Sequence, residues 1–93
     1  MQARIIKIAA TTFLLTASAA ALAGPQCTEA PNDEWINQAD MQERISEMGY
    51  EIKEFKVTDG NCYEIYGWDD QERKVEIYFN PVDASIVKQE VED

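Results

Sequence analysis

The chain has 93 residues, with 18 acidic against 8 basic side chains, a formal net charge of −10 at pH 7, and no histidine. This acidity argues against nucleic acid and anionic membrane surfaces as partners, since both carry negative charge. Without histidine the chain lacks the commonest general base, the usual serine and cysteine triads and most zinc sites. No nucleophile motif or glycine-rich phosphate loop is present. We therefore predict a protein that is not an enzyme and uses no cofactor.

The first 23 residues have the three parts of a secretory signal. Arg4 and Lys7 are their only charges, an apolar run rich in Ala and Leu follows, and Ala21-Leu22-Ala23 is an A-x-A cleavage site. The apolar run is too short and too rich in Ala, Thr and Ser to favour a membrane anchor. We predict that residues 1–23 are a cleaved signal peptide, cut after Ala23. The protein would then be periplasmic or secreted, with no membrane insertion after cleavage.

The remaining 70 residues are enough for one domain with a thin core. Cleavage leaves 6 basic against 18 acidic side chains, a net charge of −12. Cys27 and Cys62 are the only cysteines, and in an oxidising compartment they are expected to form one structural disulfide. No C-x-x-C spacing or activating histidine points to a redox-active pair.

Residues 24–34 are polar, contain two prolines and predict an extended lead-in, so that the folded domain spans 35–93. Asn37 is a residue type that is favoured at a helix N-cap, and Asp40 lies three residues later, in the capping-box position. Met41, Ile45 and Met48 follow at helical spacing and would form one apolar face. Gly49 then predicts a left-handed C-cap, which gives an amphipathic helix from 38 to 48.

After the helix the hydrophobic period changes to two. Strands are predicted at 50–58, 62–68, 75–80 and, as a terminal fourth, 86–91. The alternation slips by one near Lys53-Glu54, which predicts a β-bulge. Asp59-Gly60 is a tight-turn pair between the first two strands. The fold class is α+β, with one amphipathic helix packed on a three- to four-stranded antiparallel meander sheet.

These ordered signals resemble a known family of small exported bacterial proteins, the PepSY domains. The resemblance covers residues 27 to 87. It lies in Trp35, the helix end at Gly49-Tyr50, and the segments Asp59-Gly60-Asn61-Cys62-Tyr63-Glu64-Ile65-Tyr66 and Val75-Glu76-Ile77-Tyr78-Phe79-Asn80-Pro81. It implies a binding or regulatory role, since PepSY domains accompany peptidases in their precursors and are thought to restrain or modulate them. It supplies no set of functional residues.

Alternation along the strands places several aromatic and acidic side chains on the sheet face away from the helix. They are Tyr66, Trp68, Tyr78, Glu64 and Glu76. Aromatic anchors beside acids suit a partner with basic and apolar groups. Alternatively, a disulfide at Cys62 would draw the lead-in, with Trp35, over this face, and the aromatics would pack beneath it. The sequence does not choose between these alternatives.

Three hypotheses for function follow. The first is a non-catalytic periplasmic or secreted binding module that modulates or inhibits a peptidase, with a protein or peptide, or a basic protein surface, as partner. The exposed strand edges offer such a module a second route, pairing with an extended peptide. The alternative is an accessory or sensor component that docks on a membrane-associated redox or signalling complex. A weaker alternative is a divalent-cation binder that uses the acidic loop residues Asp69, Asp70 and Glu72.

Overall fold

The computed structural model describes residues 24–92, so the predicted signal peptide lies outside the described residues. After the lead-in, which ends in a short 3-10 turn at Asn32–Glu34, the chain forms one helix and four strands. They are α1 (Gln38–Glu47), β1 (Glu51–Val57), β2 (Tyr63–Trp68), β3 (Lys74–Phe79) and β4 (Ile86–Glu92). The strands form one antiparallel sheet in the order β1-β2-β3-β4, which confirms the predicted α+β meander.

Helix α1 begins where its local sequence predicts and ends at Glu47, one residue earlier than predicted. The Asn37 side chain accepts a hydrogen bond from the backbone N–H of Asp40, which satisfies one of the free donors of the first turn. Gly49 follows the helix with a φ of 102°, the left-handed conformation that glycine adopts without steric cost. Met41 and Ile45 are fully buried, but Met48 is 45% exposed. The prediction that Met48 belongs to the buried face was therefore wrong: Met48 is the C-cap residue, and its side chain lies at the exposed end of the helix.

The core lies between α1 and one face of the sheet. Its buried side chains come from the helix, β2, β3 and the turn before β4, and are Met41, Ile45, Tyr63, Ile65, Val75, Ile77, Phe79 and Ala84. The predicted inward face of β3 is confirmed by burial of Val75, Ile77 and Phe79.

Trp35 closes the end of this core, on the helix side of the sheet. Its indole meets the ring of Tyr63 edge-on at 5.6 Å, and its Nε1 donates to the carbonyl of Ala30. The Tyr63 hydroxyl in turn donates to the carbonyl of Ile36 at 2.7 Å. Trp35 therefore does not follow the lead-in over the opposite sheet face, as one of the sequence alternatives held.

The sheet departs from a regular ladder at two places. The β1–β2 register shifts between Ile52 and Glu54, so that Lys53 is the extra residue of the predicted bulge. In the following turn the left-handed residue is Asn61, with a φ of 62°, rather than Gly60. Gly60 is needed for another reason: a Cβ atom there would lie 2.2 Å from the carbonyl oxygen of Pro25. The backbone of the lead-in therefore packs directly against this turn.

Candidate functional site

The sheet face opposite the helix, called here the outer face, brings the five predicted surface residues together. In the β2–β3 register Glu64 pairs with Tyr78 and Tyr66 pairs with Glu76. Trp68 pairs with Lys74 at the end of the same two strands. Side chains of alternate residues project to the same face, so these residues form three successive cross-strand rows.

Two tyrosine hydroxyls converge on one carboxylate in the centre of this face. The hydroxyls of Tyr66 and Tyr78 donate to Glu76 Oε2 at 3.1 and 2.8 Å. Hydrogen bonding to Glu64, together with burial and Glu76, raises the pKa of Tyr66 to about 12. Burial and the hydrogen bond to Glu76 raise the pKa of Tyr78 as well. Both hydroxyls therefore stay protonated near neutral pH and act as donors.

Glu64 is the most unusual residue of the outer face. It is only 5% exposed, and its Oε2 atom is buried without a hydrogen-bond partner. Burial, and then the neighbouring Glu76 carboxyl, raise the pKa of Glu64. Hydrogen bonding from Glu64 and from the two tyrosines lowers the pKa of Glu76. The pKa values of the two acids are thus shifted in opposite directions, up for Glu64 and down for Glu76.

The lead-in covers the half of the outer face that contains Glu64 and Tyr78. Cys27 is joined to Cys62 by the predicted disulfide, with the Cα atoms 5.1 Å apart. The Cys27 backbone N–H donates to the Gly60 carbonyl, and its carbonyl accepts from the Asn80 side chain. Tyr78 is consequently only 7% exposed. For this half of the face, the alternative in which the lead-in covers the aromatics is the correct one.

The other half of the outer face remains an open groove of about 480 Å³. Its lining residues are Lys53, Tyr66, Gly67, Trp68, Lys74, Val75, Glu76, Glu90, Val91 and Glu92. Tyr66 and Trp68 are half-buried here, and Lys56 Nζ lies 5.1 Å from the centre of the Tyr66 ring. The groove combines aromatic surface with carboxylates and two lysines, a composition suited to a partner that presents both apolar and charged groups.

The acidic loop between β2 and β3 is organised by its own backbone. Asp69 accepts backbone hydrogen bonds from Gln71 and Arg73, and its Oδ2 lies 2.8 Å from Arg73 Nε. These hydrogen bonds lower the pKa of Asp69. Across residues 24–92, no group of three acidic or cysteine side chains lies close enough together to hold a metal ion.

The two edges of the sheet differ in character. Strand β1 carries the bulge and alternating lysines and glutamates, devices that discourage pairing with another strand. Every residue of β4 is exposed, and Ile86, Val87 and Val91 are each more than two-fifths exposed. Strand β4 is therefore the edge better suited to accept an additional strand.

The sequence predicted which residues share the outer face, but not the pairing of Glu64 with Glu76. These two residues lie diagonally across adjacent strands, and only the register brings them together. The position of Gly24 against Tyr78 was also missed, because the lead-in has no periodic pattern that would predict its course.

Comparison with known proteins places the chain in a family. The family described as peptidase propeptide and YPEB domain matches over residues 7–90, which is nearly the whole chain. No curated protein and no solved structure matches significantly. PepSY domains are usually extracellular or periplasmic, and a disulfide fits an oxidising compartment. Within residues 24–92, no helix has the length and apolarity needed to cross a bilayer. The chain belongs to the PepSY family.

Proposed function

We propose that this protein is a non-catalytic regulatory module that binds another exported protein through the groove on the outer face. A peptidase is the partner class that the family favours, since PepSY domains are commonly regulatory or propeptide-like. Binding would change the activity of that partner by occupying or covering part of its surface.

The observation that carries this proposal is the half-buried pair Tyr66 and Trp68 on the face that the helix does not cover. The core between helix and sheet is complete without Trp68, which lies outside the buried cluster. Large aromatic side chains that are not needed for the core, and that lie in a groove with charged groups, are typical anchors of protein interfaces. The neighbouring acids Glu76, Glu90 and Glu92 would select a partner with basic groups.

Strand β4 gives the same module a second means of contact. Its backbone edge is exposed next to the groove, since Glu90, Val91 and Glu92 belong to both. An extended segment of the partner could pair with β4 while its side chains reach Trp68. Main-chain hydrogen bonds would then provide affinity and the groove would provide specificity.

The proposal is tested by capture from periplasmic extract of the native host, with the oxidised, processed protein as bait. We expect a peptidase to be recovered and its activity to change in proportion to added module. Trp68→Ala should weaken this effect at least tenfold, because loss of a central aromatic anchor commonly has that size. Met48→Ala is the matched control, since this apolar side chain is exposed on the helix side.

Two results would count against the proposal. Equal capture and equal modulation by the Trp68→Ala protein would remove the groove from the interaction. Recovery of a membrane-associated redox or signalling complex, with no peptidase, would instead favour the accessory or sensor hypothesis.

A further inference from the structure

Glu64 has no basic partner among the described residues, although two lysines occupy the same cross-strand row. Lys56 lies directly opposite Glu64 in the register, but its Nζ is 4.0 Å from Glu54 and is placed over the Tyr66 ring. Lys88, at the other end of the row, pairs with Glu90 at 3.5 Å. A buried carboxyl without a counter-ion is unfavourable. Glu64 also lacks a hydrogen-bond donor at its Oε2 atom, although a buried carboxyl oxygen normally has one.

Gly24, the first described residue, lies against Tyr78, whose hydroxyl is bound to this carboxyl pair. A Cβ atom on Gly24 would be 2.8 Å from Cε2 and 3.0 Å from the hydroxyl oxygen of Tyr78. That hydroxyl donates to Glu76 at 2.8 Å, and Tyr78 is the direct cross-strand neighbour of Glu64. The next residue, Pro25, has its carbonyl oxygen 3.3 Å from Sγ of Cys62, which precedes Glu64 by two residues. The start of the lead-in thus lies against Tyr78 and Cys62, the cross-strand and sequence neighbours of Glu64.

The predicted signal-peptide cut falls immediately before Gly24. Hydrolysis of the Ala23–Gly24 bond adds water, with the hydroxyl going to the Ala23 carboxyl group and a hydrogen to the Gly24 nitrogen. An α-amino group has an ordinary pKa of about 7.7–8.0, so it takes up a further proton and becomes an ammonium at neutral pH. Processing therefore converts an uncharged amide into a cation with three donors at this position.

We propose that the carboxylates of Glu64 and Glu76 form a binding site for the α-ammonium group of Gly24, which signal-peptide cleavage creates. The ammonium supplies the donor that Glu64 Oε2 lacks and balances the charge of the pair. Glycine is required at this position, because any side chain would collide with Tyr78 and because its φ is +92°. Removal of the leader thus completes the outer face and fixes the lead-in beside the groove.

The charge state of the pair then depends on processing. In a chain extended beyond Gly24, burial keeps Glu64 protonated above its ordinary pKa. The stability due to this proton is present at acid pH and is lost as the pH rises through the raised pKa. In the processed chain the ammonium holds Glu64 ionised, and this loss does not occur. The titratable groups that face Glu64 are Lys56 from β1, Tyr66 from β2, Glu76 and Tyr78 from β3, and Lys88 from β4.

The test compares two forms of the protein, each with Glu64 or with Glu64→Gln. The first is processed protein recovered from a bacterial periplasm. Mass spectrometry identifies its N-terminal residue. The second begins at Leu22 and therefore carries two further residues. In the processed form Glu64→Gln should lower the melting temperature at pH 7. In the extended form it should leave the melting temperature unchanged or raise it, because a neutral amide replaces a buried acid without a counter-ion.

A second measurement does not depend on stability. We expect the Gly24 α-amino group of the processed protein to be acylated at pH 7 at least tenfold more slowly than in Glu64→Gln, measured on the N-terminal peptide. A tenfold difference corresponds to a rise of one unit in the pKa of the amine. Glu51→Gln, which alters an exposed acid of the same sheet face, is the control and should match the wild type.

The proposal is overturned if the periplasmic protein begins at a residue other than Gly24. It is equally overturned if the acylation rate is the same with Glu64 and Gln, or if the substitution has the same effect on both forms. None of these three outcomes depends on the groove or on its partner, so failure here leaves the proposed binding function standing.

Discussion

Removal of the Cys27–Cys62 disulfide should have the largest effect on stability of any single covalent change in this domain. The bond joins residues 35 positions apart and anchors the lead-in to β2, at the covered half of the outer face. The double variant C27A/C62A removes it without leaving a reactive thiol.

The chain-entropy relation gives a magnitude for this change. For a loop of 35 residues it predicts that the disulfide raises the free energy of the unfolded state by about 4 kcal/mol at 25 °C. This is the stability that is lost when the bond is removed. A domain of this size has a total free energy of unfolding of roughly 4–10 kcal/mol. Loss of the bond should therefore remove a large part of the stability.

Urea unfolding followed by tryptophan fluorescence measures the effect. With a slope of about 1 kcal/mol per molar urea, the midpoint of C27A/C62A should fall by about 4 M relative to the oxidised wild type. Wild-type protein reduced with dithiothreitol is the control and should unfold close to the double variant. A midpoint within about 0.5 M of the oxidised wild type would refute the reasoning, because the loop constraint would then contribute almost nothing.

Three further substitutions test local features of the fold. Asn37→Ala should lower the free energy of unfolding by about 1 kcal/mol, since it removes the N-cap acceptor of α1, and a smaller helix signal in circular dichroism should accompany it. Tyr63→Phe should lower it by about 1 kcal/mol, because the partly buried carbonyl of Ile36 loses its donor; an unchanged urea midpoint would show that water replaces the hydroxyl. Gly67→Ala should prevent close pairing of β1 with β2, because the new Cβ would lie 1.9 Å from the Glu51 carbonyl oxygen, and amide exchange in β1 should accelerate while β3 is affected less.

Local sequence signals predicted most of the secondary structure because they act over a few residues. The cap at Asn37 and the C-cap at Gly49 both depend on hydrogen bonds and dihedral angles within one helical turn. The bulge at Lys53 was predicted from the slip in alternation alone, since side chains in a strand change face at every residue. Met48 was assigned to the buried face because its spacing continued the helix, although the helix itself had already ended.

Local patterns in the sequence are enough to predict the α+β class, the order of helix and strands, the faces of β2 and β3, and the pair of cysteines available for a disulfide. The tertiary structure alone decided which part of the outer face stays open, because the course of the aperiodic lead-in depends on the disulfide and on contacts more than thirty residues away. It also decided that Glu64 and Glu76 meet. Their separation of twelve positions carries no signal, and the carboxyls become neighbours only because the strand register places them diagonally across β2 and β3.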